Sequence, residues 1–263
     1  MKWQEEYKVH YYYTDYKRIL KPSYICRYMQ ETANSGLKNF NITADFMVQN
    51  NCAFILSKIS FKYYAPIFED DIIKVQTWAL PPKTTIFQRN YRIYRGSDIV
   101  VEATSAWALI NIKEKAIIRP EKFQYITDDM TDSEEVAFQV QKRLKMPEDM
   151  QYLTDYTIRY SDIDHNLHMN NAVYIDIICD CIYNQGERLD EGSNKKIDGV
   201  NSIEISYNSE ALFGDTLEIT KGVIITENAD INNGGSVEHY IKAKNKSNGL
   251  NCFEAKVNVS TKA

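Results

Sequence analysis

The sequence predicts an α+β protein assembled from one unit used twice, each copy a strand, a long helix and four further strands pairing antiparallel. Two observations carry this expectation. The order of strand-like and helix-like periodicities in the first 125 or so residues recurs after residue 150, and short residue matches recur with it. Tyr13-Thr14-Asp15 is echoed by Tyr160-Ser161-Asp162, and Phe68-Glu69-Asp70 by Phe213-Gly214-Asp215.

In the first copy, residues 7–13 form an aromatic-rich run read as a strand. A helix then opens at Lys21-Pro22-Ser23, where proline near the first helical position loses no hydrogen bond. Ile25, Tyr28, Met29, Thr32, Ala33 and Leu37 recur at helical spacing, so one face turns inward, and Gly36 with Asn39 to Asn41 marks its end. Four strand-like runs follow at 54–64, 72–80, 85–94 and 99–112, separated by turn signals such as Pro81-Pro82 and Gly96-Ser97-Asp98. Residues 128–150 are charged and poor in strand signals, and are read as a linker between domains 1–127 and 151–263. The second copy repeats the pattern with a strand at 153–160, a helix at 170–183 and strand-like runs at 197–207, 216–226, 236–246 and 250–260.

Composition excludes several classes. The chain has 263 residues, 44% hydrophobic and 25% charged, enough for two globular domains. No apolar run of about eighteen residues is present, so no membrane span is expected, and the opening residues are not followed by a signal-peptide core. The chain is therefore read as cytoplasmic. A formal charge of -5 disfavours nucleic acid as a partner. Five scattered cysteines without a C-x-x-C pair point to neither a disulfide framework nor a structural zinc site.

The chemistry concentrates in RYSDIDHNLHMNNAVY, residues 159–174, which holds two of the four histidines. Taken as extended backbone, it directs Asp164, Asn166 and His168 to one side and His165, Leu167 and Met169 to the other. A histidine can take up a proton near neutral pH, a carboxylate can orient it or activate water, and an amide can donate to a developing oxyanion. The helix starting at Asn170 and Asn171 adds unpaired N–H groups at its positive end. Aligning Asp15 with Asp162 sets Lys17, Ile19 and Lys21 opposite Asp164, Asn166 and His168, so those three are read as unique to the second copy. Asp162 and His165 are read as structural. Metal binding through Asp162, Asp164, His165 and His168 is the rival, but D-x-D-H-x-x-H matches no standard metal motif, and no metal is expected.

The series D-x-N-x-H-x-N-N, with Tyr174 three residues on, resembles the signature of acyl-acyl carrier protein thioesterases, which consist of two tandem hotdog domains. Phe54 to Lys58, Ala103 to Asn111 and Arg119-Pro120 are similar to that family's first-half patterns. The resemblance implies hydrolysis of the thioester of fatty acyl-acyl carrier protein, with Asp164, Asn166 and His168 as catalytic residues. Tyr207-Asn208-Ser209-Glu210 is similar to the family's Y-x-x-E and implies Glu210, carried by a strand, as the fourth. Its first-half counterpart falls at about Ala65. Where plant members have cysteine after this glutamate, this chain has Ala211, so a cysteine nucleophile does not fit. Ile25, Met29, Phe54 and Leu56 are the implied acyl-pocket residues of the first domain. No cofactor is implied, since the substrate itself carries phosphopantetheine, and either a monomer or a homodimer fits. Acidic carrier protein would dock on basic residues, for which Lys142-Arg143-Leu144-Lys145, Lys195-Lys196 and Lys242, Lys244 and Lys246 are candidates. An acyl-CoA thioesterase and a non-catalytic acyl-binding hotdog protein are the alternative readings.

Overall fold

The computed structural model describes residues 1–82, 84–123, 125–139, 143–183, 197–225 and 235–261. The chain divides into two compact units, Met1–Val140 and Gln141–Ala263.

In the first unit the strands are β1 (Trp3–Lys8), β2 (Cys52–Tyr63), β3 (Ile72–Ala79), β4 (Ile86–Arg95), β5 (Asp98–Asn111) and the two-residue β6 (Ala116–Ile117), with helices α1 (Pro22–Asn39) and α2 (Ala44–Gln49). The antiparallel sheet runs β1-β3-β4-β5-β2, with β6 added on β5. The inward stripe of α1 is Ser23, Ile25, Cys26, Met29, Thr32, Ala33 and Gly36, and the helix lies against β1 and β3. Gly36 is required by that approach. A Cβ there would sit 3.2 Å from Trp3 Cβ and Cγ on β1.

The second unit comprises β7 (Gln151–Thr157), α3 (Asn171–Tyr183), β8 (Ile197–Tyr207), β9 (Thr216–Ile225), β10 (Ser236–Asn245) and β11 (Asn251–Thr261). Its sheet runs β7-β9-β10-β11-β8, the strand order of the first unit again. Ala172, Val173, Tyr174, Ile175, Ile177, Ile178, Cys181 and Ile182 of α3 are all buried, as expected of a helix that a sheet encloses. The fold is α+β, two hotdog units in tandem.

Some local expectations require correction. The first strand stops at Lys8, and Tyr11–Tyr13 form a 3-10 turn, as do Tyr160–Asp162 in the second unit. The tyrosines past Lys8 that suggested a longer strand are instead spent on ring packing: Tyr13 stacks on Tyr24 at 4.4 Å, and Tyr11 meets Tyr12 at 3.9 Å. Helix α2 was not foreseen. At six residues it is too short to show a period, and its clearest signal is Thr43, whose hydroxyl accepts from Phe46 N at 3.1 Å as an N-cap.

The first part of segment 128–150 packs on the sheet of the first unit. The Glu134 carbonyl accepts from Trp78 Nε1 at 2.7 Å and Asn90 Nδ2 at 3.2 Å, and Val136 is buried in one cluster with Trp78 and Leu80. Arg92 joins Glu102, at 2.8 Å, to Glu134. Further on, Pro147 and Met150 cover β9 at Gly222, where a Cβ would fall 2.8 Å from Pro147 Cγ and 3.3 Å from the Asp149 carbonyl oxygen. Charged composition hid this because the attachments are backbone carbonyls, single apolar side chains and the one carboxylate of Glu134, which a composition average cannot resolve.

Candidate active site

Residues 163–169 form a closed turn, not the extended segment expected. Asp164 N donates to His168 O at 2.9 Å, Leu167 N donates to Asp164 O at 3.0 Å, and Ile163 bridges antiparallel to Met169. Leu167 has φ +66°, which reverses the chain. The Asp164 Oδ1 atom accepts from Asn166 N at 2.8 Å, so a side chain completes the turn.

The turn is attached to the loop that follows β8. Met169 N donates to Ala211 O at 3.0 Å, and His168 bridges antiparallel to Leu212. Met169 and Ala211 are buried, which anchors both segments and leaves their polar neighbours facing outward. In consequence His168 Nε2 lies 3.3 Å from Glu210 Oε2, with both side chains partly exposed. Glu210 lies three residues beyond the end of β8, in a bend fixed by Asn208 N and Ser209 N, which both donate to Cys252 O. It is therefore a loop residue, and the expectation of a strand position is corrected.

The same turn exists in the first unit, which fixes the internal alignment. Asp15 N donates to Ile19 O at 2.8 Å, Arg18 has φ +63°, Ile19 bridges to Phe68, and Leu20 N donates to Ile67 O at 2.8 Å. Matching these bonds pairs Asp15 with Asp164, Lys17 with Asn166, Ile19 with His168 and Pro66 with Glu210. The sequence alignment was thus two residues out of register. Asp164 has a counterpart after all, and Asp15 Oδ1 accepts from Lys17 N and Ile19 N as a turn former in its own right. Asn166, His168 and Glu210 have no polar equivalent except Lys17. Asp162 serves the preceding turn, its Oδ2 accepting from Tyr156 OH at 3.0 Å and Arg159 N at 2.8 Å.

This register yields a direct expectation for Asp164. Asp164→Asn keeps a side-chain oxygen for the turn and should retain turnover within a few-fold, whereas Asp164→Ala should lose about tenfold through misplacement of His168. Equal, large losses in both, measured as kcat, would assign the charge itself to catalysis.

At the head of α3, Asn170 is an N-cap. Its Oδ1 accepts from Ala172 N at 2.9 Å, while its own N–H donates to Asp162 O at 2.9 Å. The backbone N–H of Asn170 is therefore engaged and is not the oxyanion donor anticipated for it. Asn171 is the first helical residue, and its carbonyl accepts from Tyr207 OH at 3.2 Å. Tyr174, part of the motif but given no role from sequence, is buried with its ring edge-on to Tyr207 at 5.1 Å and to Phe253 at 5.5 Å. Burial raises its hydroxyl pKa, and the negative charges of Glu210 and Asp164 raise it further, so it stays protonated beneath the site.

Two buried cysteines of this unit are disfavoured as thiolates. Burial pushes Cys181 up to about 11 and also raises Cys252, the thiol behind the Glu210 bend. Among the described residues no group of three or more histidines, cysteines, aspartates and glutamates is placed to hold a metal ion. The proposed pocket residues Ile25, Met29 and Leu56 are buried, while Phe54 joins a cluster with Cys52, Phe87, Leu109 and Phe123. A cavity of about 30 Å³ in this unit is lined by Trp3, Gly36, Phe40, Trp78 and others, not by these four. Of the basic docking candidates, Lys242 pairs with Glu254 and Lys246 with Asp155, whereas Lys142, Lys195 and Lys196 lie outside the described residues. No helix among the described residues is long and apolar enough to cross a membrane.

Residues 1–132 match the acyl-ACP thioesterase N-terminal domain, and residues 145–259 match the C-terminal domain. No curated protein matches the chain in sequence. Among solved structures, the fold is similar to that of an acyl-ACP thioesterase from Bacteroides thetaiotaomicron (TM-score 0.78, 19% identity, covering 98% of this chain and 97% of that one). It is equally similar to the 12:0-ACP thioesterase from Umbellularia californica (TM-score 0.78, 14% identity, 99% and 97% covered). A protein from Lactobacillus plantarum assigned as an oleoyl thioesterase aligns at TM-score 0.80 with 14% identity, covering 100% and 97%. The chain belongs to the acyl-ACP thioesterase family and hydrolyses the thioester of fatty acyl-acyl carrier protein.

Proposed function

We propose that His168 and Glu210 form the acid–base pair of this hydrolysis, with Asn166 as oxyanion donor, Asp164 holding the turn that presents them, and water as the nucleophile. The observation that supports it is the 3.3 Å His168–Glu210 contact, assembled on a turn whose first-unit copy has Ile19 and Pro66 at those places. One member of the pair takes a proton from water as its oxygen attacks the thioester carbonyl, and the other orients it. In this reading Asn166, an exposed residue of the same turn as His168, and the helix terminus at Asn171 stabilise the oxyanion. Collapse breaks the C–S bond, and the pair returns the proton to the departing thiol. These steps need water and no cofactor of the protein's own.

Ile25, Met29, Phe54 and Leu56 are proposed to line the acyl pocket, supported by their apolar character and the burial of the first, second and fourth. A cytoplasmic location is proposed on the cysteines, among which no disulfide forms within the described residues. Incubation with a mixed acyl-acyl carrier protein pool should release free fatty acids, and Met29→Trp should shift the released chains to shorter lengths. An unchanged chain-length profile would remove Met29 from the pocket.

A further inference from the structure

The paired turns supply an internal control for the rim of the site. Across the antiparallel bridge of the first unit, Arg18 faces Glu69, and the two form an exposed ion pair with Nε to Oε2 at 2.6 Å. The corresponding places beside His168 and Leu212 hold Leu167 and Phe213. Both are strongly exposed, at 75% and 68%. Other surface apolar residues near the site do not distinguish the copies: Tyr160 is matched by exposed Tyr11, and Leu212 by exposed Phe68.

Leu167 and Arg18 share the same positive φ, so the backbone cost is common to both turns, but Arg18 gains an ion-pair partner there and the exposed Leu167 gains no compensating burial. The change from an ion pair to two exposed apolar side chains therefore has no account in the fold of the turn, because the first unit builds the same turn without them. It occurs only in the copy that has His168 and Glu210. Leu167 precedes His168 directly, and Phe213 lies opposite Leu167 and three residues beyond Glu210.

We infer that Leu167 and Phe213 form an apolar clasp for the pantetheine arm of the substrate, next to the thioester it carries. The inference rests on the placement of the reaction at His168 and Glu210. Any thioester held there must lead its arm away past the residues that flank the pair, and the methylenes and geminal methyl groups of that arm are apolar surface that two exposed hydrophobic side chains would cover. The arm is common to acyl carrier protein and coenzyme A, so the clasp selects for the arm and not for the protein that bears it.

The test installs the ion pair of the first unit, Leu167→Arg with Phe213→Glu, which that unit shows to be compatible with the turn. Steady-state kinetics would use one acyl group on N-acetylcysteamine, on pantetheine and on acyl carrier protein, with circular dichroism and thermal unfolding to confirm folding. The expected result is a fall of about tenfold or more in kcat/KM for the two long-arm substrates relative to the N-acetylcysteamine thioester. Tyr160→Ser, the control, should leave that ratio unchanged. A loss confined to acyl carrier protein would overturn the clasp in favour of a protein contact, and an equal loss on all three substrates, or none, would overturn it outright. His168→Ala, by contrast, should depress all three alike, so failure of the catalytic assignment is separately visible.

Discussion

Replacing His168 with alanine is expected to lower kcat on acyl-acyl carrier protein by about two to four orders of magnitude, the range for removing a positioned acid–base group. Glu210→Ala should give a loss of similar size. Because the two side chains meet at 3.3 Å and are proposed to act as one unit, the double variant should lose little more than either single one. The basis for separating chemistry from folding is that both side chains are partly exposed on a turn whose anchors, Met169 and Ala211, are untouched. Thermal unfolding midpoints should therefore stay near the parent value. Near-normal turnover in both single variants would remove the pair from the mechanism, and fully additive losses would mean that the two residues act separately.

A second large effect is expected in acid. His239 on β10 is 5% exposed, its Nδ1 is buried without a hydrogen-bond partner among the described residues, and its pKa is pushed down to about 4. Burial is the larger cause and the charge of Lys221 the smaller. Lys221 is itself 9% exposed, with its pKa lowered by burial and its Nζ donating to Cys181 O at 2.9 Å near the end of α3. Since the folded pKa of His239 lies below the unfolded value of about 6.5, the unfolded chain binds the proton more readily, and stability falls as pH drops from about 6.5 to about 4. The loss attributable to this group is about 2 to 3 kcal/mol after allowing for residual solvent. Denaturant unfolding at pH 7, 5.5 and 4.5 should show a shallower decline for His239→Leu than for the parent chain. Parallel declines would show that the carboxylates alone account for the acid sensitivity.

Much of the fold was legible because its elements are long and strongly patterned. Helix α1, with proline at its start and an apolar stripe through Met29, was placed to within a residue or two, as were strands β3 and β9. The short elements were not. Three-residue turns and the six-residue α2 have no room for a period, and the aromatic run at 11–13 carries the same propensity whether it extends or turns.

The chemistry of the site was legible as residue types. A histidine, an amide and a carboxylate crowded before an apolar helix, together with the family signature, pointed to Asp164, Asn166, His168 and Glu210. Their arrangement was misjudged, because alternation assumes an extended backbone, and Asp164 instead folds its side chain onto Asn166 N to close a turn. The same assumption set the internal repeat two residues out of register and made Asp164 look unique.

What the sequence by itself determined is the duplicated α+β plan and the set of candidate reactive groups, since periodicity and side-chain chemistry are local properties. Tertiary structure decided which of those groups meet. Glu210 is 42 residues from His168 in the chain, and the hydrogen bond between Met169 N and Ala211 O, with the antiparallel bridge of His168 to Leu212, brings their segments together. It also decided that Asn170 caps its helix and that Asp164 repeats the task of Asp15, because hydrogen bonds between backbone and side chain depend on turn geometry that no residue spacing encodes.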